Sequence, residues 1–263
     1  MSFTKPSAVL AIAAALGLIG LGLIGFGGHA LVERRRRRGG VKIAGTQHLN
    51  ARWWREQGTK AGELLYAAIG DSAAQGVGAS RPGHGYVGLI ARHLRDRTGR
   101  TVRVVNLSVS GARISDALDV QLPALGALAP DIVTVAIGAN DVPSFDRQRF
   151  QRELGTLYDS LPKGTIVAEV PSFYLGARER NARIANTILH RLAARHGFPV
   201  APLHRRTRRQ TAVRYALNQV AADFFHPNDR GYRVWASAFL PLVDRVLGPK
   251  GAEPVSSGVG GLA

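Results

Sequence analysis

The stretch Tyr66-Ala-Ala-Ile-Gly-Asp-Ser72 is an apolar run that stops at a glycine and then presents an aspartate and a serine. Together with the leucines ahead of it, the run predicts a strand over 63–69. The carboxyl edge of an open α/β sheet is where ligands bind, and Ser72 arrives at such an edge. Taken alone, Gly70-Asp71-Ser72 also has the composition of an ordinary tight turn.

Three further polar clusters give it company. Asn106-Leu-Ser-Val-Ser-Gly111 follows a strand predicted over 102–107, Gly138-Ala-Asn-Asp141 follows one over 131–137, and Asp223-Phe-Phe-His226 stands near the end. Two more strands are predicted over 165–170 and 199–203, with helices over 86–97, 115–128, 146–160, 178–196 and 229–247. Strands alternating with helices of this length predict a three-layer α/β/α sandwich around a five-stranded parallel sheet. In such a sheet Ser72, residues 108–111 and Asn140 gather along one edge.

The chain of 263 residues allows this domain, placed at 63–247, plus appendages. Residues 248–263 are rich in Gly, Pro and Ser and read as a disordered tail. The absence of cysteine removes disulfides, thiolate zinc sites and a cysteine nucleophile. A net charge of +17 invites a nucleic-acid partner, but no zinc-finger spacing, ribonucleoprotein motif or clear helix-turn-helix accompanies it, and none is expected.

Residues 1–32 read as a membrane anchor. No Asp, Glu, Lys or Arg occurs between Pro6 and Val32, and residues 8–28 would span about 32 Å as a helix. A cleaved signal peptide is the alternative, opposed by Glu33 and the arginine run Arg34 to Arg38 where a cleavage region would stand. That run predicts a single-pass protein with its domain on the cytoplasmic side, export being the alternative. Residues 33–62 read as a basic juxtamembrane linker, in which Trp53 and Trp54 either sit at the bilayer interface or pack on the domain.

A serine hydroxyl needs a base to act as a nucleophile at neutral pH. His226 can supply it, with Asp223 accepting from its other ring nitrogen, although an isolated D-x-x-H is also a capped turn. The backbone N–H groups of Ser72 and Gly111 and the amide of Asn140 can face an oxyanion. Asp71 and Asp141 are expected to hold loops.

On these blocks (Gly70-Asp71-Ser72-Ala-Ala-Gln75-Gly76, Gly111, Gly138-Ala-Asn140-Asp141 and Asp223-Phe-Phe-His226-Pro227) the chain resembles the SGNH hydrolase superfamily, the GDSL-type lipases and esterases. The resemblance implies a flavodoxin-like SGNH fold, Ser72 as nucleophile, His226 as base, Asp223 as its orienter, and Ser72, Gly111 and Asn140 as oxyanion hole. It implies hydrolysis of a small-molecule or lipid ester through an acyl-enzyme, without metal or organic cofactor. Carbohydrate O-deacetylase and thioesterase activities belong to the same fold, and a membrane-tethered scaffold without turnover is the rival from another class. Gln75 and Val77, Val142 to Phe145 and Ser172 to Leu175 are the expected pocket residues, among which Val142, Phe145, Phe173, Tyr174 and Leu175 suit an acyl chain.

Overall fold

The computed structural model describes residues 34, 38–41, 43, 45–209 and 211–248, the side chains of residues 214 and 216 excepted. The expected membrane span over 8–28 and the tail from 249 lie outside the described residues. Among the described residues no helix is long and apolar enough to cross a membrane.

Five parallel strands form the sheet: β1 (Leu64–Gly70), β2 (Val102–Asn106), β3 (Ile132–Ala136), β4 (Ile166–Ala168) and β5 (Val200–Ala201), in the order β2-β1-β3-β4-β5. β1 pairs with β2 on one side, Leu64 opposite Val102, and with β3 on the other, Tyr66 opposite Ile132. The order reverses at β1, so a crevice opens at the carboxyl ends of β1 and β3.

Side chains alternate across a strand, and β1 is buried on both faces. Tyr66 and Ala68 join one core with Tyr86, Ile90 and Phe239, whereas Ala67 and Ile69 join another with Ile114, Leu154 and Ile188. The first core is covered by α1 (Gln47–Gly58), α2 (Tyr86–Thr98) and, as numbered below, the last helix of the chain. The second is covered by a helical run over 114–126, by α4 (Arg147–Asp159) and by α5 (Gly176–His196). We call the run over 114–126 α3; its middle, Ala117–Gln121, is a π turn. Two short helices, α6 (Leu203–Arg208) and α7 (Ala212–Asn218), precede the long α8 (Asp229–Leu247).

The predicted three-layer fold and its parallel sheet are present, with strands β4 and β5 shorter than expected. Pro202 has no N–H to continue the ladder, so β5 ends there. Beyond β4, Val170 is held by a side chain instead: its N–H donates to Asn186 Oδ1 at 2.8 Å and its carbonyl accepts from Asn186 Nδ2 at 3.0 Å.

The span 33–62 is not a bare linker. α1 lies against β2, and Trp54, 3% exposed, donates its indole N–H to the Gln75 carbonyl at 3.0 Å. Asn50 donates to the same carbonyl at 3.2 Å. Trp53 packs edge-on to Trp54 and covers Gly83. Of the two readings for the tryptophan pair, packing on the domain is the one observed, because the indole N–H finds a buried acceptor there. Gly39 lies on the backbone of Ala222 and Asp223 with no room for a Cβ.

The end of β1 depends on the π turn. Gln121, 1% exposed, accepts from the Gly70 N–H and donates to the Gly70 carbonyl, both at 2.9 Å. Gln121→Met fills the space but leaves the buried Gly70 N–H without an acceptor. It should lower stability by about 1–3 kcal/mol in urea titrations. An unmoved midpoint would show that Gly70 does not depend on this clamp.

Candidate active site

Ser72 emerges two residues after the end of the clamped strand, and the chain turns at once: the Val77 N–H returns to the Ser72 carbonyl at 3.0 Å. His226 comes from the loop between α7 and α8. Its Nε2 lies 2.9 Å from Ser72 Oγ, and its Nδ1 lies 2.6 Å from Asp223 Oδ2.

The protons follow from the carboxylate. Burial pulls the Asp223 carboxyl upward, but the His226 side chain and the N–H groups of Phe225 and His226 outweigh it and hold the group below its ordinary value. An ionised carboxylate only accepts, so Nδ1 carries the imidazole proton. Nε2 is then the ring nitrogen left to accept from the Ser72 hydroxyl. Asp223 Oδ1 also accepts from the N–H groups of Phe225 and His226, at 3.0 and 3.1 Å. This tight turn places Phe224 at φ 55°, a left-handed conformation rare outside glycine.

Asn140 follows β3 and, with Ser72 and His226, lines one cavity. Its Nδ2 donates to Asp71 Oδ2 at 3.2 Å and to the Ala112 carbonyl at 3.0 Å, which occupies both amide hydrogens. Among the described residues, the N–H groups of Ser72 and Gly111 have no protein acceptor. Gly111 adopts φ 82° and is exposed, and it does not line the cavity.

Both flanking aspartates hold loops, as expected. Asp71 Oδ1 accepts from the Ala73 N–H at 2.9 Å, and Asp141 Oδ2 accepts from the Ile114 N–H at 3.3 Å. Burial lifts each carboxyl to about 6.

The cavity, of about 560 Å³, opens on Ser72 and His226, and one aromatic wall of it includes Trp235. Ser172, Phe173, Tyr174 and Leu175 line it as expected, and Tyr215, Phe224 and Phe225 join them. Gln75, Val77, Val142 and Phe145 do not. Gln75 turns inward, donating to the Ser108 carbonyl and accepting from Ser110 Oγ, both at 2.8 Å, so it ties the first polar cluster to the second. Val77 and Val142 are fully buried, and Phe145 packs on Phe150 in the core.

Glu179 carries no motif, yet it organises this wall. Its buried Oε2 accepts from Ser172 Oγ and the Phe173 N–H at 2.9 Å and from the Tyr174 N–H at 3.1 Å. Its Oε1 faces Arg208 at 2.8 Å, His204 at 3.0 Å and Arg183 at 3.1 Å. Burial raises the Glu179 carboxyl, but these partners, Ser172 first, bring it below its ordinary value. Tyr174 is held at φ 66°, with its hydroxyl donating to the Thr207 carbonyl at 2.7 Å. His204 is thus largely buried against a carboxylate.

Asp141 gives a pH test. Its carboxyl rises from 3.8 unfolded to about 6 in the fold, so the folded chain holds an extra proton between those values and loses stability as pH rises through them. Asp141→Asn keeps an acceptor for Ile114 and does not titrate. Its stability relative to the parent chain should increase from about pH 4 to about pH 7 in urea titrations. A constant difference would show that Asp141 ionises as readily folded as unfolded.

Residues 68–234 match the model of the GDSL-like lipase/acylhydrolase family. The chain is also 39% identical over 91 residues to the uncharacterized protein YpmR of Bacillus subtilis, a match covering 33% of this chain and 35% of that protein, so it spans about a third of that relative. Among solved structures it is similar to LAE5, an α/β hydrolase enzyme from the metagenome of Lake Arreo, Spain, with 26% identity and a TM-score of 0.56 over 72% of this chain and 99% of the other. Axe2, an acetylxylan esterase from Geobacillus stearothermophilus, aligns with 22% identity and a TM-score of 0.56 over 69% of this chain and 94% of its own. TesA aligns with 21% identity and a TM-score of 0.56 over 70% and 99%. The last two likenesses show the fold alone.

Proposed function

The chain belongs to the GDSL-like lipase/acylhydrolase family, and from that premise we propose that it is a serine ester hydrolase working through an acyl-enzyme on Ser72. The observation that carries the reading is the unbroken chain of hydrogen bonds from Ser72 Oγ through His226 to Asp223.

Ser72 Oγ attacks the ester carbonyl carbon while its proton passes to His226 Nε2. Asp223 stabilises the imidazolium and keeps the ring in place. The tetrahedral intermediate collapses, the carbon–oxygen bond to the alcohol breaks, and His226 returns the proton to the leaving alkoxide. Water then attacks the acyl-serine, gives its proton to His226, and the second collapse releases the acid and restores the Ser72 hydroxyl.

The oxyanion is received by the N–H groups of Ser72 and Gly111 and by Asn140. For Asn140 this means exchanging a bond to Asp71 or Ala112 for one to the oxyanion, an exchange favoured by the negative charge that develops there. The aromatic wall of the cavity supports an acyl chain longer than acetyl, which distinguishes this reading from a carbohydrate O-deacetylase; a thioester would be cleaved by the same steps. The formed Ser72–His226–Asp223 chain also speaks against a scaffold without turnover. We further propose that residues 8–28 keep the enzyme at a membrane, as their length and apolarity support.

The test is hydrolysis of a panel of esters from acetyl to long acyl by the full chain. Ser72→Ala and His226→Ala should each lower kcat by on the order of 10⁴-fold or more with the fold unchanged by circular dichroism. Retained turnover in Ser72→Ala would remove Ser72 as nucleophile. Asn140→Ala should lower kcat by about a hundredfold, and an unchanged kcat would reduce Asn140 to a brace for Asp71.

A further inference from the structure

We propose that Arg178 makes this site selective for acyl esters that carry a negative charge, a carboxylate or a phosphate, on the substrate. The inference rests on the hydrolase reading above and names the substrate class it serves.

Arg178 lines the same cavity as Ser72 and His226. It stands in the first turn of α5, immediately before Glu179. Consecutive helical residues point about 100° apart, so the two neighbours face different surroundings. Glu179 turns into the domain and collects Arg183, His204 and Arg208. Arg178 is not among its partners. It is exposed, and among the described residues no carboxylate lies within ion-pair distance of it.

The acids that line or border the cavity are engaged elsewhere. Asp71 accepts from the Ala73 N–H and from Asn140, and Asp223 is held by His226 and two backbone N–H groups. Arg178 is therefore a guanidinium in a cavity with an aromatic wall, its donors unspent on protein. A guanidinium is always charged and matches carboxylate and phosphate geometry with two parallel bonds. The aromatic wall takes the acyl chain and the guanidinium takes the anion. The complementary substrate is an anionic amphiphile with an ester between its two ends.

The experiment uses the full chain and three hexanoate esters with related phenolic leaving groups: 4-hydroxybenzoate, bearing a carboxylate; 4-hydroxyphenyl phosphate, bearing a phosphate; and methyl 4-hydroxybenzoate, which is neutral. The wild-type chain should show higher kcat/KM on an anionic ester than on the neutral one. The arm with the larger preference identifies the group Arg178 receives. Arg178→Gln should lower that anionic-to-neutral ratio about tenfold, and Arg178→Lys should restore part of it. Salt near 0.5 M should shrink the wild-type ratio, as screening requires. An equal ratio in wild type and Arg178→Gln, or turnover with no preference for charge, would overturn the inference and leave the hydrolase reading intact. Failure of the wild-type chain to cleave any ester would instead sink the hydrolase reading, and this inference with it.

Discussion

A buried strand that ends inside a protein leaves an N–H and a carbonyl that must find partners. At the end of β1 the partner for both is Gln121. The clamp lets the chain leave the sheet at Gly70 without a cost in unpaired polar groups, and Asp71 and Ser72 begin their turn from a fixed point. A Cβ at residue 70 would crowd Ala74 and the Ala136 carbonyl, so glycine is needed where the strand passes closest to its neighbour. Asn186 repeats the device at Val170 beyond β4. The two carboxamides stand at the ends of the strands that deliver Ser72 and the aromatic wall. The cavity is framed by side chains acting as short substitute strands.

The sheet was legible because its strands are apolar runs separated by helical lengths of chain. The four polar clusters were legible because parallel strands deliver their carboxyl ends to one edge. Closeness in sequence to those clusters was a poorer guide to the cavity. Gln75 and Val77 follow Ser72 within five residues, yet the turn that exposes Ser72 returns them to the interior. Val142 and Phe145 fail in the same way after Asn140. Of the aromatic residues that line the cavity beyond Phe173 and Tyr174, Tyr215 comes from α7 and Trp235 from α8, neither of them beside a motif, and Phe224 and Phe225 come from a turn with a left-handed phenylalanine. Trp54 was ambiguous for a different reason. An indole suits both a bilayer interface and a core, and only its bond to the distant Gln75 carbonyl separates the two.

Ser72 and His226 are 154 residues apart in sequence, and their 2.9 Å separation is not secured by their own bond alone. The loop after Ser72 is fastened to the start of α8 at two points. Asp229 accepts from the N–H and the hydroxyl of Ser80, both at 2.7 Å, and Tyr232 donates to the Val77 carbonyl at 2.6 Å. Asn228 caps α8 through the N–H groups of Arg230 and Gly231, and its amide holds the carbonyls of Asn218 and Val220 on the other side. His226 stands between these ties, two residues before the cap. Its position therefore derives from a helix end as well as from the loop that carries it. A chain that kept Ser72, Asp223 and His226 but lost Ser80 and Asp229 would give up one of the two ties between the loop after Ser72 and α8, and proton transfer depends on the distance those ties help to set.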